Sequence, residues 1–254
     1  VTGRARAHRS AALLALVSAG AVTALSGCAG EDPDAGTNGV GKLSATRIEK
    51  KARSAAEDAE AVRVDGSVVS KGQTYRLKMR LKKDGGVGEV SAEGGSTFEL
   101  LRMDRDLYLK AGTGFWAQQE GGKKKPGKGD VAAARKLKGK YVKVPRTDPA
   151  YKQLSVFTDM STLLDGLLAM EGKRQTGERG EVDGTRTVRV TAGEGRGGTI
   201  DVSLKGDPYP LRLQRPGGAG TVRLTDWNDG FALHAPKKDQ TVDYGKRISP
   251  ERTG

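Results

Sequence analysis

Side chains able to do covalent or metal chemistry are scarce in this chain of 254 residues, which has one cysteine, Cys28, and two histidines, His8 and His234. A Ser-His-Asp or Cys-His arrangement would have to be built on one of those imidazoles, and no G-x-S-x-G turn supplies an activated serine. No H-E-x-x-H, P-loop or dinucleotide fingerprint occurs either. Gly193-Glu194-Gly195-Arg196-Gly197-Gly198 is rich in glycine but stands between two segments of strand pattern. A phosphate cradle opens a helix, so this stretch reads as a hairpin turn. Asp226-Trp227-Asn228-Asp229-Gly230 offers oxygen ligands yet lacks the length and the terminal Glu of an EF-hand loop, and it too reads as a turn. His234, beside Ala235-Pro236, reads as a surface or capping residue. This inventory points to no catalytic residue, no metal centre and no cofactor, and the expectation is a protein that is not an enzyme.

Cys28 remains, and its surroundings define it. Arg4, Arg6 and Arg9 precede an apolar run over residues 11–24, the charged start and apolar centre of an export leader. That run is shorter than the ~20 residues needed to cross a bilayer. Leu25-Ser26-Gly27-Cys28 resembles a bacterial lipobox, and the resemblance implies that the Cys28 sulfur is lipidated and that cleavage leaves Cys28 as the first residue. The chain is then organised as a signal peptide over 1–27, lipidated Cys28 and a flexible tether over 28–43, and one domain over 44–254. It would work on the outer face of the cell membrane, held there through Cys28. With the only thiol so used, no disulfide is available, and stability has to come from burial.

The net charge of +13 stays strongly basic without the three leader arginines. Such a surface suits an anionic membrane or wall polymer. Nucleic acid is set aside as a partner, because the cations are spread along strands rather than clustered with stacking aromatics, and because an exported chain rarely meets it.

The elements follow from periodicity. Residues 29–41, rich in Gly, Asp and Pro, have no apolar period and read as the tether. Thr46 and Glu49 stand at capping-box spacing before a helix with Ile48, Ala52, Ala55, Ala56, Ala59 and Val62 on one face. The period then changes to two. Tyr75-Arg76-Leu77-Lys78-Met79-Arg80-Leu81-Lys82 alternates apolar residues with cations, one face dry and one positive. Strands over 62–70, 87–92, 97–103 and 107–111 join it through tight turns, which excludes a parallel βαβ sheet. In 112–139, Phe115-Trp116 is an apolar pair in a polar stretch, residues 121–128 form a Gly/Lys loop, and Asp130 caps a short helix ending at Leu137. Tyr141-Val142-Lys143-Val144 reads as a short strand or edge. Asp148-Pro149 opens a helical region with Tyr151, Leu154, Phe157, Met160, Leu163, Leu164, Leu167 and Leu168, either one helix or two broken near Thr158-Asp159. Five further strands are expected over 173–178, 185–192, 199–204, 211–214 and 221–227, and a frayed tail after Asp243. The fold class is α+β: one curved antiparallel sheet of about ten strands, with helices on its concave face.

Several of these pieces, in this order, resemble the actinobacterial lipoproteins of the LppX/LprG type, similar in fold to the LolA and LolB carriers. They are the lipobox, the Ala-rich first helix, Asp106-Leu107-Tyr108-Leu109-Lys110, Phe115-Trp116, Tyr141-Val142-Lys143-Val144-Pro145, Val182-Asp183-Gly184, Pro208-Tyr209-Pro210-Leu211-Arg212-Leu213 and Asp226-Trp227. The resemblance implies a half-barrel around a hydrophobic cavity that takes acyl chains of lipids or lipoproteins. The Lys-rich insertion over 121–129 and the modest aromatic content depart from that pattern. On this reading the cavity wall draws on Leu77, Met79, Phe98, Leu100, Phe157, Met160, Leu164, Leu167, Ile200, Val202 and Leu213, and the chain binds or transfers a lipid-like ligand. A different reading makes it a sensor or interaction domain whose basic outer face, with Arg76, Lys78, Arg80 and Lys82, docks a cell-envelope protein or an anionic wall polymer.

Overall fold

The alternation of apolar and charged residues is realised in one open, curled sheet of twelve strands. The structure, a computed structural model, describes residues 33–70, 72–121, 125–245 and 248. Cys28, the leader and part of the Lys-rich insertion lie outside the described residues. Strands β1 (Ala61–Ser70), β2 (Gln73–Lys82), β3 (Gly85–Ala92), β4 (Thr97–Met103) and β5 (Asp106–Ala111) form a meander. After helices α2 (Thr113–Gly121) and α3 (Lys128–Leu137) comes β6 (Tyr141–Val144), which pairs with β5. Helices α4 (Pro149–Ser155) and α5 (Met160–Leu167) then cross to a second meander, β7 (Arg174–Val182), β8 (Thr185–Ala192), β9 (Thr199–Ser203), β10 (Pro210–Gln214) and β11 (Thr221–Thr225). β11 pairs with β1, Arg63 opposite Thr225 and Val64 opposite Leu224, and this joins the two meanders. The last strand, β12 (Thr241–Val242), lies parallel to β6. All other pairings are antiparallel, and the total exceeds the expected ten because β6 and the polar tail each add a strand to the two five-stranded meanders.

Burial follows the period. In β2, Leu77, Met79 and Leu81 are buried while Arg76 and Lys78 are exposed. Each of these buried side chains contributes about 1.5–3 kcal/mol relative to an exposed one. Gly66 and Gly88 let the sheet curl beside β2. A Cβ on Gly66 would lie 2.3 Å from the Thr221 carbonyl oxygen, and one on Gly88 would lie 2.1 Å from that of Lys78. Only glycine admits so close a backbone approach in a strand.

Helix α1 (Ala45–Asp58) covers strands β7 to β10 with Ile48, Ala52 and Ala56, all at most 1% exposed. It starts one residue before Thr46, with Ser44 as N-cap, and the expected capping box is not formed. Glu49 turns inward instead. Arg174 of β7 grips its carboxylate at 2.6 and 3.0 Å, and Arg53 reaches it at 3.4 Å. Arg53 also donates to the Leu168 carbonyl, so one carboxylate ties α1, β7 and the end of α5 together.

Other departures have local causes. Phe115-Trp116 lies in a helix that polar surroundings had hidden. Trp116 is fully buried and donates from Nε1 to the Ala111 carbonyl at 3.2 Å. Asp130 is not the cap of α3 but sits a turn inside, accepting from the Gly127 backbone N–H at 2.8 Å. The helical region after Asp148 is two helices, with Asp148 and Asp159 each capping one through backbone N–H groups. β7 runs to Val182 because an edge strand needs no apolar period. The expected tether is held from Pro33 onward: Asp34 pairs with Arg179 at 2.8 Å, Asn38 donates to the Ser203 and Gly206 carbonyls, and Val40 is buried. The tail is tied as well, since Tyr244 packs on Trp116 and the Ile248 N–H donates to Asp148 at 2.7 Å.

The Glu49 site yields a pH prediction. Burial pushes its carboxyl up, but the hydrogen bonds and charges of Arg174 and Arg53 outweigh this and hold it below its usual 4.5. A lowered folded value means stability that is present above the usual value and lost as pH falls through the folded one. Glu49→Gln should cost on the order of 1–3 kcal/mol at pH 7. Urea unfolding across pH should show the gap to wild type shrinking as pH falls below the carboxylate range.

Candidate functional site

A cavity of about 590 Å³ opens between the β1–β2 hairpin and the α4–α5 region. Val68, Val69 and Tyr75 form its sheet side, Phe98 and Phe115 its floor, and Leu154, Phe157, Leu163, Gly166 and Leu167 of the α4–α5 region its helical side. Phe98 and Phe115 pack with centroids 6.3 Å apart, and Tyr75 and Phe157 at 5.9 Å. Val69 and Val156, 38% and 40% exposed, are the exposed large hydrophobics among the described residues, and both line this cavity. Water-facing valines scattered singly would need no explanation; here the two lie on the lining of one apolar cavity.

Polar contacts hold the frame. Arg102 of β4, buried, donates to the Thr158 carbonyl at 2.9 and 3.3 Å and pairs with Asp159, fixing the α4–α5 junction to the sheet. Burial pushes the Asp159 carboxyl up, yet the Thr162 and Ser161 donors and the Arg102 charge leave it below its usual range. Asp148, 3% exposed, accepts from Ala150 at the start of α4 and from Ile248, which itself lines the cavity. Arg215 donates to the Gly166 and Leu167 carbonyls and closes the end of α5.

Of the wall residues expected from sequence, Phe98, Phe157 and Leu167 line this cavity. Met160 and Leu164 line a second cleft of about 310 Å³, whose other members include Arg53, Glu57, Lys83, Asp159 and Asp165. Leu77, Met79, Leu100, Ile200, Val202 and Leu213 sit in the packed core at no more than 1% exposure and line neither space. Val68, Val69, Val156 and Leu163 were missed. The signal for the first two was in the sequence: Val68-Val69 breaks the alternation of β1 and places apolar residues on both faces of the strand.

Part of the basic outer face is paired in place. Lys82 pairs with Asp84, Arg63 with Asp226, Arg223 with Asp183, Lys110 with Glu99, and Asp201 accepts from both Arg189 and Arg212. Arg80 lies over the Phe231 ring at 4.3 Å, and Lys78 stands in register between Asp65 and Glu89. Tyr141 donates to Glu99 on this face; burial first, then that hydrogen bond, push its phenol well above the usual range. His234 is exposed, and Gly193–Gly195 is a 3-10 turn between β8 and β9 with no helix after it.

No family model matches the sequence, nor does any curated protein. Among solved structures, the chain is similar to LprF from Mycobacterium bovis, with a TM-score of 0.53 and 15% identity over 76% of this chain and 96% of that one. It is also similar to the lipoprotein LppX of Mycobacterium tuberculosis, with a TM-score of 0.42 and 12% identity over 74% and 96% of the two chains. The likeness to LprF shows the fold: the open, curled sheet expected from the sequence resemblance is the one present.

The division between core and cavity lining can be measured. Leu77→Ala should cost about 2–5 kcal/mol in denaturant unfolding, as a cavity in packed core does. Val156→Ser should stay within about 0.5 kcal/mol, because its side chain meets water already.

Proposed function

We propose that this chain is an extracytoplasmic lipoprotein, anchored through lipidated Cys28, that binds or transfers a lipid-like ligand by taking its apolar part into the cavity beneath the β1–β2 hairpin. The observation that carries this reading is the pair of exposed valines lining an apolar space of about 590 Å³. A hydrocarbon chain that enters gains about 0.8 kcal/mol for each methylene removed from water, and it covers Val69 and Val156 at the same time. The LprF-type fold and the lipobox support the same reading. No helix among the described residues is long and apolar enough to cross a membrane. The role needs no catalytic group: the protein supplies a dry, pre-formed space, and selectivity comes from its size and rim.

Gly166 gives a test that separates binding from folding. It lies within α5, lines the cavity, and a Cβ there would meet nothing within 4 Å. Gly166→Phe should therefore fill the space without a clash. It should leave the protein as stable as wild type or more so, by up to about 1 kcal/mol, since glycine weakens a helix interior. Uptake of the apolar fluorophore N-phenyl-1-naphthylamine should fall at least about tenfold. Native mass spectrometry of protein drawn from its own membranes should show a lipid adduct on wild type and none on the variant. Wild type that carries no lipid and takes up no probe would sink the proposal. For the anchor, Cys28→Ala should move the protein from the membrane to the soluble fraction and remove the acyl mass; a lipidated, membrane-bound Cys28→Ala would overturn that part.

A further inference from the structure

The charges that line the cavity are of one sign. On the sheet Arg63, Lys82, Lys110 and Arg223 each have an acid beside them, whereas the described residues that line the cavity include two cations, Lys152 and Arg215, and no Asp or Glu. Lys152, exposed on α4, makes no ion pair or side-chain hydrogen bond among the described residues. Arg215 uses Nη1 on the two carbonyls that end α5, which leaves its other guanidinium donors open. Two cations without acids beside an apolar space complement a negative group carried on a hydrocarbon.

Size narrows the ligand further. A methylene takes up about as much room as a water molecule in the liquid, roughly 30 Å³, so the cavity holds about twenty of them. That is one long acyl chain. By the same measure two sixteen-carbon chains would need about 960 Å³ and three about 1440 Å³, more than the 590 Å³ present.

Resting on the apolar-capture reading above, we infer that the ligand is an amphiphile with a single long acyl chain and an anionic headgroup. The chain lies against Phe98, Phe115 and Leu163, and the carboxylate or phosphate meets Lys152 and the free donors of Arg215.

The test is displacement of bound N-phenyl-1-naphthylamine from the full chain. The competitors are palmitate, palmitoyl lysophosphatidate, monopalmitoylglycerol and dipalmitoylphosphatidate, all at one low ionic strength. Both anionic single-chain competitors should act at concentrations at least about tenfold below the neutral ester. The better of the two identifies the headgroup as carboxylate or phosphate. In Lys152→Glu, whose exposed site leaves folding intact by circular dichroism, the ratio of anionic to neutral affinity should fall at least about tenfold. Equal displacement by palmitate, lysophosphatidate and the neutral ester in wild type overturns the headgroup inference and leaves apolar capture standing. A two-chain lipid that outcompetes all single-chain ones overturns the size inference. If the fluorophore itself does not bind, the earlier reading fails, and this one with it.

Discussion

A sheet that is dry on one face must have that face covered, and here the cover is shorter than the sheet. β1 and β2 have ten residues each, about 33 Å of strand. α5 has eight residues, about 12 Å of helix. Where helix is present the sheet is packed to near-zero exposure, as at Leu77, Leu100 and Val202. Toward the ends of β1 and β2, Val68, Val69 and Tyr75 instead share with Leu154, Phe157 and Leu163 the lining of a space that Phe98 and Phe115 also border. The cavity lies beside the two longest strands of the sheet.

An apolar gap of this size invites collapse, because each wall gains by moving toward the other. Polar contacts at its borders oppose this. Arg102 holds the α4–α5 junction on β4, Asp148 holds both the start of α4 and the tail at Ile248, and Arg215 holds the end of α5. Glu49 anchors α1 to β7 on the far side. Asp148 and Glu49 are buried and fully engaged, so a shift of a helix by even one ångström would leave a charge without its partners, at a cost of several kcal/mol. The frame is held by directional bonds, and the interior can therefore stay unfilled.

The period-two pattern made the strands legible wherever one face is dry and the other wet: 97–103, 141–144 and 185–192 appear with the boundaries read from sequence. It failed where that physics does not apply. β7 is an edge strand without a dry face, and β12 is polar and short, defined by its pairing with β6. α2 was hidden because its buried pair, Phe115-Trp116, is adjacent rather than spaced by three or four. The anchored residues 33–43 escaped for a related reason, since Asp34 and Asn38 act through hydrogen bonds that composition does not report. Wall residues were legible only in part. Periodicity says which side chains point inward but not how far the helices extend over them, so Leu77 and Phe98 looked alike in sequence and differ in what lies above them.

The same distinction governs the charge. A net charge of +13 suggested a positive outer face, yet antiparallel register places acids beside several of those cations, and an exposed pair adds little beyond mutual neutralisation. The potential that a ligand meets depends on the charges left over, not on their sum. Among the described residues, the cations that lack an acid include two that line the apolar cavity. The proposed hydrocarbon capture and anionic head therefore fall at the same spot, on residues from β10's end and from α4 that sequence distance keeps apart.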